Sequence, residues 1–252
     1  GLNSLLISAV GDDQEGEKLL DFLKSFKLPI NAVQVSKTQK TSQVLVDDSD
    51  RENMKYDIVS PVAWDFIQWD ENTDRLISQS DALIFGTLGV RSPTSLETLI
   101  RYLKHPVLRV FDSNLRPPHY DFDVIEKLLG FSDILKINED ELEVFADYFQ
   151  TKPTIDGLCG YLDQYFPMDL ICVTLGSKGA LIYQKGEVIS HPGFKVKFQD
   201  SIGAGDAFLS GFVKGYLEEK SLTETLNLAC KVGAFVASQK GGAPRYTEKS
   251  LL

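Results

Sequence analysis

The feature that most constrains the fold is an alternation of short apolar runs with stretches of helical spacing. "SLLISAV" (4–10), "DALIFGTLG" (81–89), "VLRVFD" (107–112), "DILKI" (133–137) and "DLICVTLG" (169–176) have the length and composition of buried strands. Between them, residues 14–27, 93–104, 122–129, 138–149 and 154–166 repeat apolar side chains at helical intervals. Such an alternation predicts right-handed βαβ units: an α/β fold with a mostly parallel sheet flanked by helices. Strand order stays open at this level.

Two regions interrupt the alternation. Residues 31–60 hold three β-like runs around a polar turn at Asp47–Asn53, with no helix between them. They predict a small antiparallel β lid attached to the α/β body. Residues 179–198 read as a hairpin turning near Lys185-Gly186, and two helices follow, over roughly 204–219 and 222–239. With 252 residues, 43% of them hydrophobic, the chain can bury one substantial core, so a single domain over 1–252 is expected.

Composition excludes several classes of function. A formal net charge of -10 opposes nonspecific binding to nucleic acid or an anionic membrane, and no apolar run approaches a membrane span. Cys159, Cys172 and Cys230 are odd in number and lack metal-ligand spacing. Cys172 and Cys230 fall in apolar patterns and read as core thiols, so the reducing cytoplasm is the expected compartment. His105, His119 and His191 are scattered, as surface or packing histidines are.

Chemistry concentrates in "DSIGAGDAFLSGF" (200–212). Gly203, Ala204 and Gly205 permit a tight turn in which successive N–H groups converge on an anion. The helix that follows adds its own N–H groups and the positive end of its dipole, so the favoured ligand is phosphate-like. Asp206 stands in the first helical turn, beside that charge. Taken alone, the same residues also describe a plain turn with a dipole-favoured acid.

Three other segments offer parts of a phosphoryl-transfer site. In "KINEDELEVF" (136–145), Asn138 and Glu141 share one helical face, a spacing that suits indirect support of Mg2+ or a capping box. "VTLGSKGALIY" (173–183) ends a strand with Gly176 and Gly179 around Lys178, either a nucleotide-binding turn or a simple hairpin. "FDSNLRPPHY" (111–120) places Asp112, Asn114 and Arg116 just past a strand end, where open parallel sheets bind ligands.

In their joint order these pieces resemble the ribokinase-like carbohydrate kinases, most closely the bacterial fructokinase-like branch. "VGDDQEG" (10–16) and the closing "KGGAP" (240–244) extend the likeness over nearly the whole chain. The resemblance implies ATP-dependent phosphorylation of a sugar hydroxyl, with fructose the leading acceptor and 2-keto-3-deoxygluconate the rival, since that branch also carries D-x-N-x-R. A regulator that binds nucleotide or sugar without turnover is the alternative of another class. It further implies Asp206 as catalytic base and Gly203, Ala204 and Gly205 as the anion hole. Thr174, Gly176, Lys178 and Gly179 would line the nucleotide, with Cys230 near its base, and Asn114 and Arg116 would meet the substrate. Asn138 and Glu141 match the family's magnesium-associated motif. Asp200, Ile202, Val236 and Gly241 match a monovalent-cation (K+) site of some members. The β lid would cover the sugar and is where a homodimer would form.

Phosphoryl transfer passes through a loose transition state, so positioning and charge stabilisation dominate, and a lid excludes competing water. The family's glycine-rich sugar-binding segment should precede a stretch like the one that opens this chain. About 30 further residues are therefore expected N-terminal to Gly1, supplying a strand beside 4–10 and part of the sugar pocket.

Overall fold

The computed structural model describes residues 2–47 and 55–251. In chain order it contains β1 (Ser8–Gly11), α1 (Gln14–Ser25), β2 (Val33–Ser36), β3 (Val44–Asp47), β4 (Lys55–Ile58), α2 (Glu71–Ser78), β5 (Ala82–Gly86) and α3 (Pro93–Tyr102). There follow β6 (Leu108–Asp112), α4 (Phe122–Leu129), β7 (Ile134–Asn138), α5 (Glu139–Tyr148), α6 (Gly160–Tyr165), β8 (Leu170–Thr174), β9 (Ala180–Gln184), β10 (Glu187–His191), α7 (Ala204–Leu217) and α8 (Leu222–Ala237). The chain divides into two compact units. One comprises Ile84–Gly86 and Leu108–Leu252, the other Leu2–Leu83 and Thr87–Val107.

The larger unit is built on a six-stranded sheet of order β10-β9-β8-β7-β6-β5. β6 pairs parallel with β7 and β7 with β8, whereas β8–β9 and β9–β10 are antiparallel. The central strands are apolar on both faces, and Val110, Phe111, Ile134, Leu135, Ile137 and Val173 are wholly buried. That burial needs cover, which Ile125 and Leu128 of α4, Phe145 of α5, Phe212 of α7 and Leu226 of α8 help provide. Each such side chain contributes about 1.5–3 kcal/mol relative to exposure.

The β9–β10 hairpin closes through Lys185 and Gly186, both with positive φ (50° and 84°), as a two-residue type I′ turn requires. α7 and α8 lie close because Gly211 has no side chain: a Cβ there would stand 3.0 Å from the Ala229 Cα. This contact fixes the helix whose first turn carries Asp206.

In the smaller unit β1 pairs parallel with β2, and β3 pairs antiparallel with β4. Here the structure corrects the sequence reading. Of the three β-like runs in 31–60, the first does not join the antiparallel flap; Val33–Ser36 aligns with Ser8–Gly11 instead. The first strand is also shorter than 4–10, because β2 offers only four residues to pair with. Residues 48–53 of the expected polar turn lie outside the described residues.

Helix α2 was not expected from periodicity, since its sequence ENTDRLIS holds just two large apolar residues. It is set instead by Asp70, whose side chain accepts from the Thr73 N–H at 2.9 Å, and by burial of Thr73 and Ile77. A second device is the buried Asp65–Arg91 pair, at 2.7 and 2.9 Å, with the guanidinium 4.1 Å from the Trp64 ring centre. Among the described residues no helix is long and apolar enough to cross a membrane.

Candidate active site

The residues singled out for chemistry all fall in the larger unit, and several converge at the C-terminal ends of β6, β7 and β8. β6 ends at Asp112, β7 at Asn138 and β8 at Thr174, with Asn138 opposite Thr174 in register. In an open sheet with parallel strands this edge is where ligands sit.

Asn138 begins α5 as its N-cap. Its Oδ1 accepts from the Glu141 N–H at 2.8 Å, and Glu141 Oε2 accepts from the Asn138 N–H at 2.9 Å, a complete capping box. Glu141 does more than cap. Its Oε1 accepts from the Leu115 N–H at 2.6 Å, and the residue is 4% exposed. The carboxylate thereby pins the loop carrying Asn114 and Arg116. Asn114 adopts a left-handed φ of 39°, while Arg116 is exposed and bonds its neighbour's carbonyl at 3.2 Å.

With both Glu141 oxygens engaged by backbone N–H groups, direct metal ligation does not suit this residue. A water-mediated role remains compatible with their remaining lone pairs. Among the described residues no group of three or more His, Cys, Asp or Glu side chains is arranged to hold a metal ion.

The turn before α7 has the form its glycines suggest. Gly203 is the N-cap with φ 74°, so the helix begins without a side-chain cap. The Ala204 N–H donates to the Ser201 carbonyl at 3.2 Å, and no side chain caps the N–H groups that follow it, as an anion-binding turn requires. A Cβ on Gly203 would fall 2.3 Å from the Gly242 carbonyl oxygen, so this turn is held against the 241–242 loop. Asp200 ties the same loops together, accepting from the Ile202 N–H at 2.9 Å and the Gly241 N–H at 3.3 Å. Its own N–H donates to Ala237 O at the end of α8, next to Val236. Asp206 is exposed in the first turn of α7.

Thr174, Gly176, Lys178 and Gly179 form the strand-to-hairpin turn. Gly176 and Gly179 both take positive φ, and the Leu175 N–H donates to Gly179 O at 2.8 Å. Lys178 pairs with Glu139 of α5 at 2.8 Å, both exposed. Cys230 is buried in α8, a helix that packs on β9 and β10, and burial pushes its thiol up to about 11.

One residue escaped the sequence reading. Lys136, in the middle of β7, is buried and bonds Asp112 at 2.9 Å. The signal was a lone cation in the apolar run "DILKI", because a buried charge must find a partner. Burial raises the Asp112 carboxyl above its usual range; Lys136 opposes the shift, and Glu141 and Asp206 add repulsion. Asp112 thus feels the charges of both Glu141 and Asp206 at this edge.

A family model of pfkB family carbohydrate kinases matches residues 1–249. The ATP-dependent 6-phosphofructokinase of Thermoanaerobacterium thermosaccharolyticum is 30% identical over 244 residues, covering 93% of this chain and 73% of the relative. Fructokinase from Escherichia coli is 27% identical over 258 residues, 96% of this chain and 82% of that one. The crystal structure of a Xylella fastidiosa fructokinase with bound ATP superposes with a TM-score of 0.83 over 94% of this chain and 80% of that chain, at 19% identity.

Proposed function

Because the chain belongs to the pfkB family of carbohydrate kinases and is an ATP-dependent sugar kinase, we propose that its acceptor is fructose and that Asp206 is its base. The observation that carries the site assignment is the first turn of α7, which no side chain caps, with Gly203 in the left-handed conformation and Asp206 three residues on. In this reading the sugar hydroxyl oxygen attacks the γ-phosphorus of ATP. The bond from that phosphorus to the β,γ-bridging oxygen breaks, and ADP leaves with the electron pair. The hydroxyl proton passes to the Asp206 carboxylate and then to solvent.

Gly203, Ala204 and Gly205 hold the phosphoryl oxygens through backbone N–H groups, that of Ala204 shared with the Ser201 carbonyl, where preorganised donors stabilise charge. Asn114 and Arg116 meet the acceptor on a loop that Glu141 fixes. Thr174, Gly176, Lys178 and Gly179 border the nucleotide, with Cys230 beyond them. When bound, Mg2+ would neutralise charge on the ATP phosphates; Asn138 would support it through water, and Glu141 would act by holding Asn138 and the substrate loop in place. K+ near Asp200, Ile202, Val236 and Gly241 would steady the turn electrostatically.

The phosphofructokinase relative favours a second acceptor, fructose 6-phosphate. An ATP-coupled assay over fructose, fructose 6-phosphate and 2-keto-3-deoxygluconate separates these readings. Fructose should give the highest kcat/KM; higher values on either alternative would reassign the acceptor, and no turnover on any would favour a regulator. Asp206→Asn should keep ATP binding and lose about two or more decades in kcat. Turnover within about threefold of wild type would remove the base assignment.

A further inference from the structure

The phosphoryl-transfer scheme leaves the buried lysine of the sheet without a task. Lys136 lies on β7 with its side chain 6% exposed, and its partner Asp112, 10% exposed, stands opposite it in register on β6. Taking two such charges out of water costs several kcal/mol per ion, and an apolar pair of similar volume commonly serves stability as well. Stability alone is thus a weak reason for an ion pair at this position.

The pair is directional. A Cβ built on Gly205 would stand 3.5 Å from Lys136 Nζ, and no Asp112 atom comes within 4 Å of that point. The ammonium, rather than the carboxylate, therefore faces the turn that opens α7. Negative charge gathers near it: Glu141 and Asp206 both act repulsively on Asp112. Without a cation here, a phosphoryl group entering the turn would meet their uncompensated field in a partly desolvated setting.

We propose that Lys136 is a positioning residue for phosphoryl transfer: held by Asp112, its ammonium lends positive potential to the Gly203–Gly205 turn and lets the ATP phosphates settle there. This inference rests on the kinase reading above, but binding measurements test it separately. Calorimetry on the full chain would compare ATP with adenosine, which has no phosphate, alongside thermal melting and, for sugars that wild type accepts, kcat and KM for ATP.

Lys136→Met should weaken ATP about 10- to 100-fold and leave adenosine within about twofold, the selectivity expected of a charge effect on phosphates. Because that variant strands a buried carboxylate, the double variant Lys136→Met/Asp112→Asn supplies a neutral pair of similar shape. It should regain most of the lost Tm while ATP binding and kcat/KM for ATP stay depressed. Recovery of ATP affinity together with Tm, or parallel weakening of ATP and adenosine, would show a purely structural pair and overturn the proposal. If wild type bound ATP yet turned over no sugar, the kinase reading would fail, while the ATP-against-adenosine comparison would still decide the role of Lys136.

Discussion

Glu141→Gln separates a structural from a metal-supporting role for the N-x-x-E motif. The substitution keeps side-chain shape but replaces one acceptor oxygen with an NH2 group. In the native site the two carboxylate oxygens accept from the N–H groups of Leu115 and Asn138, at 2.6 and 2.9 Å. The amide can serve one of these donors with its carbonyl oxygen, and it turns a donor toward the other. A hydrogen bond to a charged group contributes about 1.5–3 kcal/mol, and a buried N–H left unpaired costs about 1–3 kcal/mol. These overlap, so we expect a stability loss of roughly 2–4 kcal/mol.

The loss should be measured by urea unfolding followed by far-UV circular dichroism. Tryptophan emission is the wrong probe, because Trp64 and Trp69 both lie in the other unit. Hydrogen exchange at the Leu115 amide should accelerate, and the substrate loop should loosen with it. Activity would then fall mainly through KM for the sugar, with little change in the magnesium concentration for half-maximal rate. A stability change below about 1 kcal/mol, joined to a severalfold rise in magnesium requirement, would refute this reasoning and return Glu141 to the metal.

Gly203→Ala forces a Cβ into a left-handed residue 2.3 Å from the Gly242 oxygen, so it should cost more than the roughly 1–2 kcal/mol of the backbone conformation alone and lower kcat; a wild-type melting curve would contradict the turn geometry. Thr41→Val removes the hydroxyl that is the largest cause of the lowered Asp13 carboxyl. A depressed carboxyl contributes stability above its unfolded value, near 3.8, and loses it as pH falls through the folded one, so the variant's deficit in urea unfolding should be widest near neutral pH and shrink in acid. A deficit independent of pH would leave only the lost Gly11 N–H acceptor as its source. Replacing K+ by a bulky organic cation at constant ionic strength should lower activity if Asp200 helps hold the ion, and an unchanged rate would remove that role.

Much of the local structure is legible in short stretches of sequence, because it answers requirements of a few adjacent backbone groups. The helix over 122–129 is bounded by Asp121, which caps it, and by Gly130 just past its end. Lys185-Gly186 closes its hairpin, and Asn138 and Glu141 make their capping box, because these residue types satisfy constraints within four positions of themselves. The same holds for the turn at Gly203 and the placement of Asp206. The tertiary structure decided the rest. It set Val33–Ser36 beside β1 in parallel rather than in the flap, since the largely buried β1 accepts any strand that completes its ladder. It brought Glu141 to the Leu115 amide, Asp200 to Gly241 and the Lys136 ammonium to Gly205, across separations of 26, 41 and 69 positions. A charge or a donor specifies that it must be paired when buried, but not with which group. That choice is made by the packing that removes it from water.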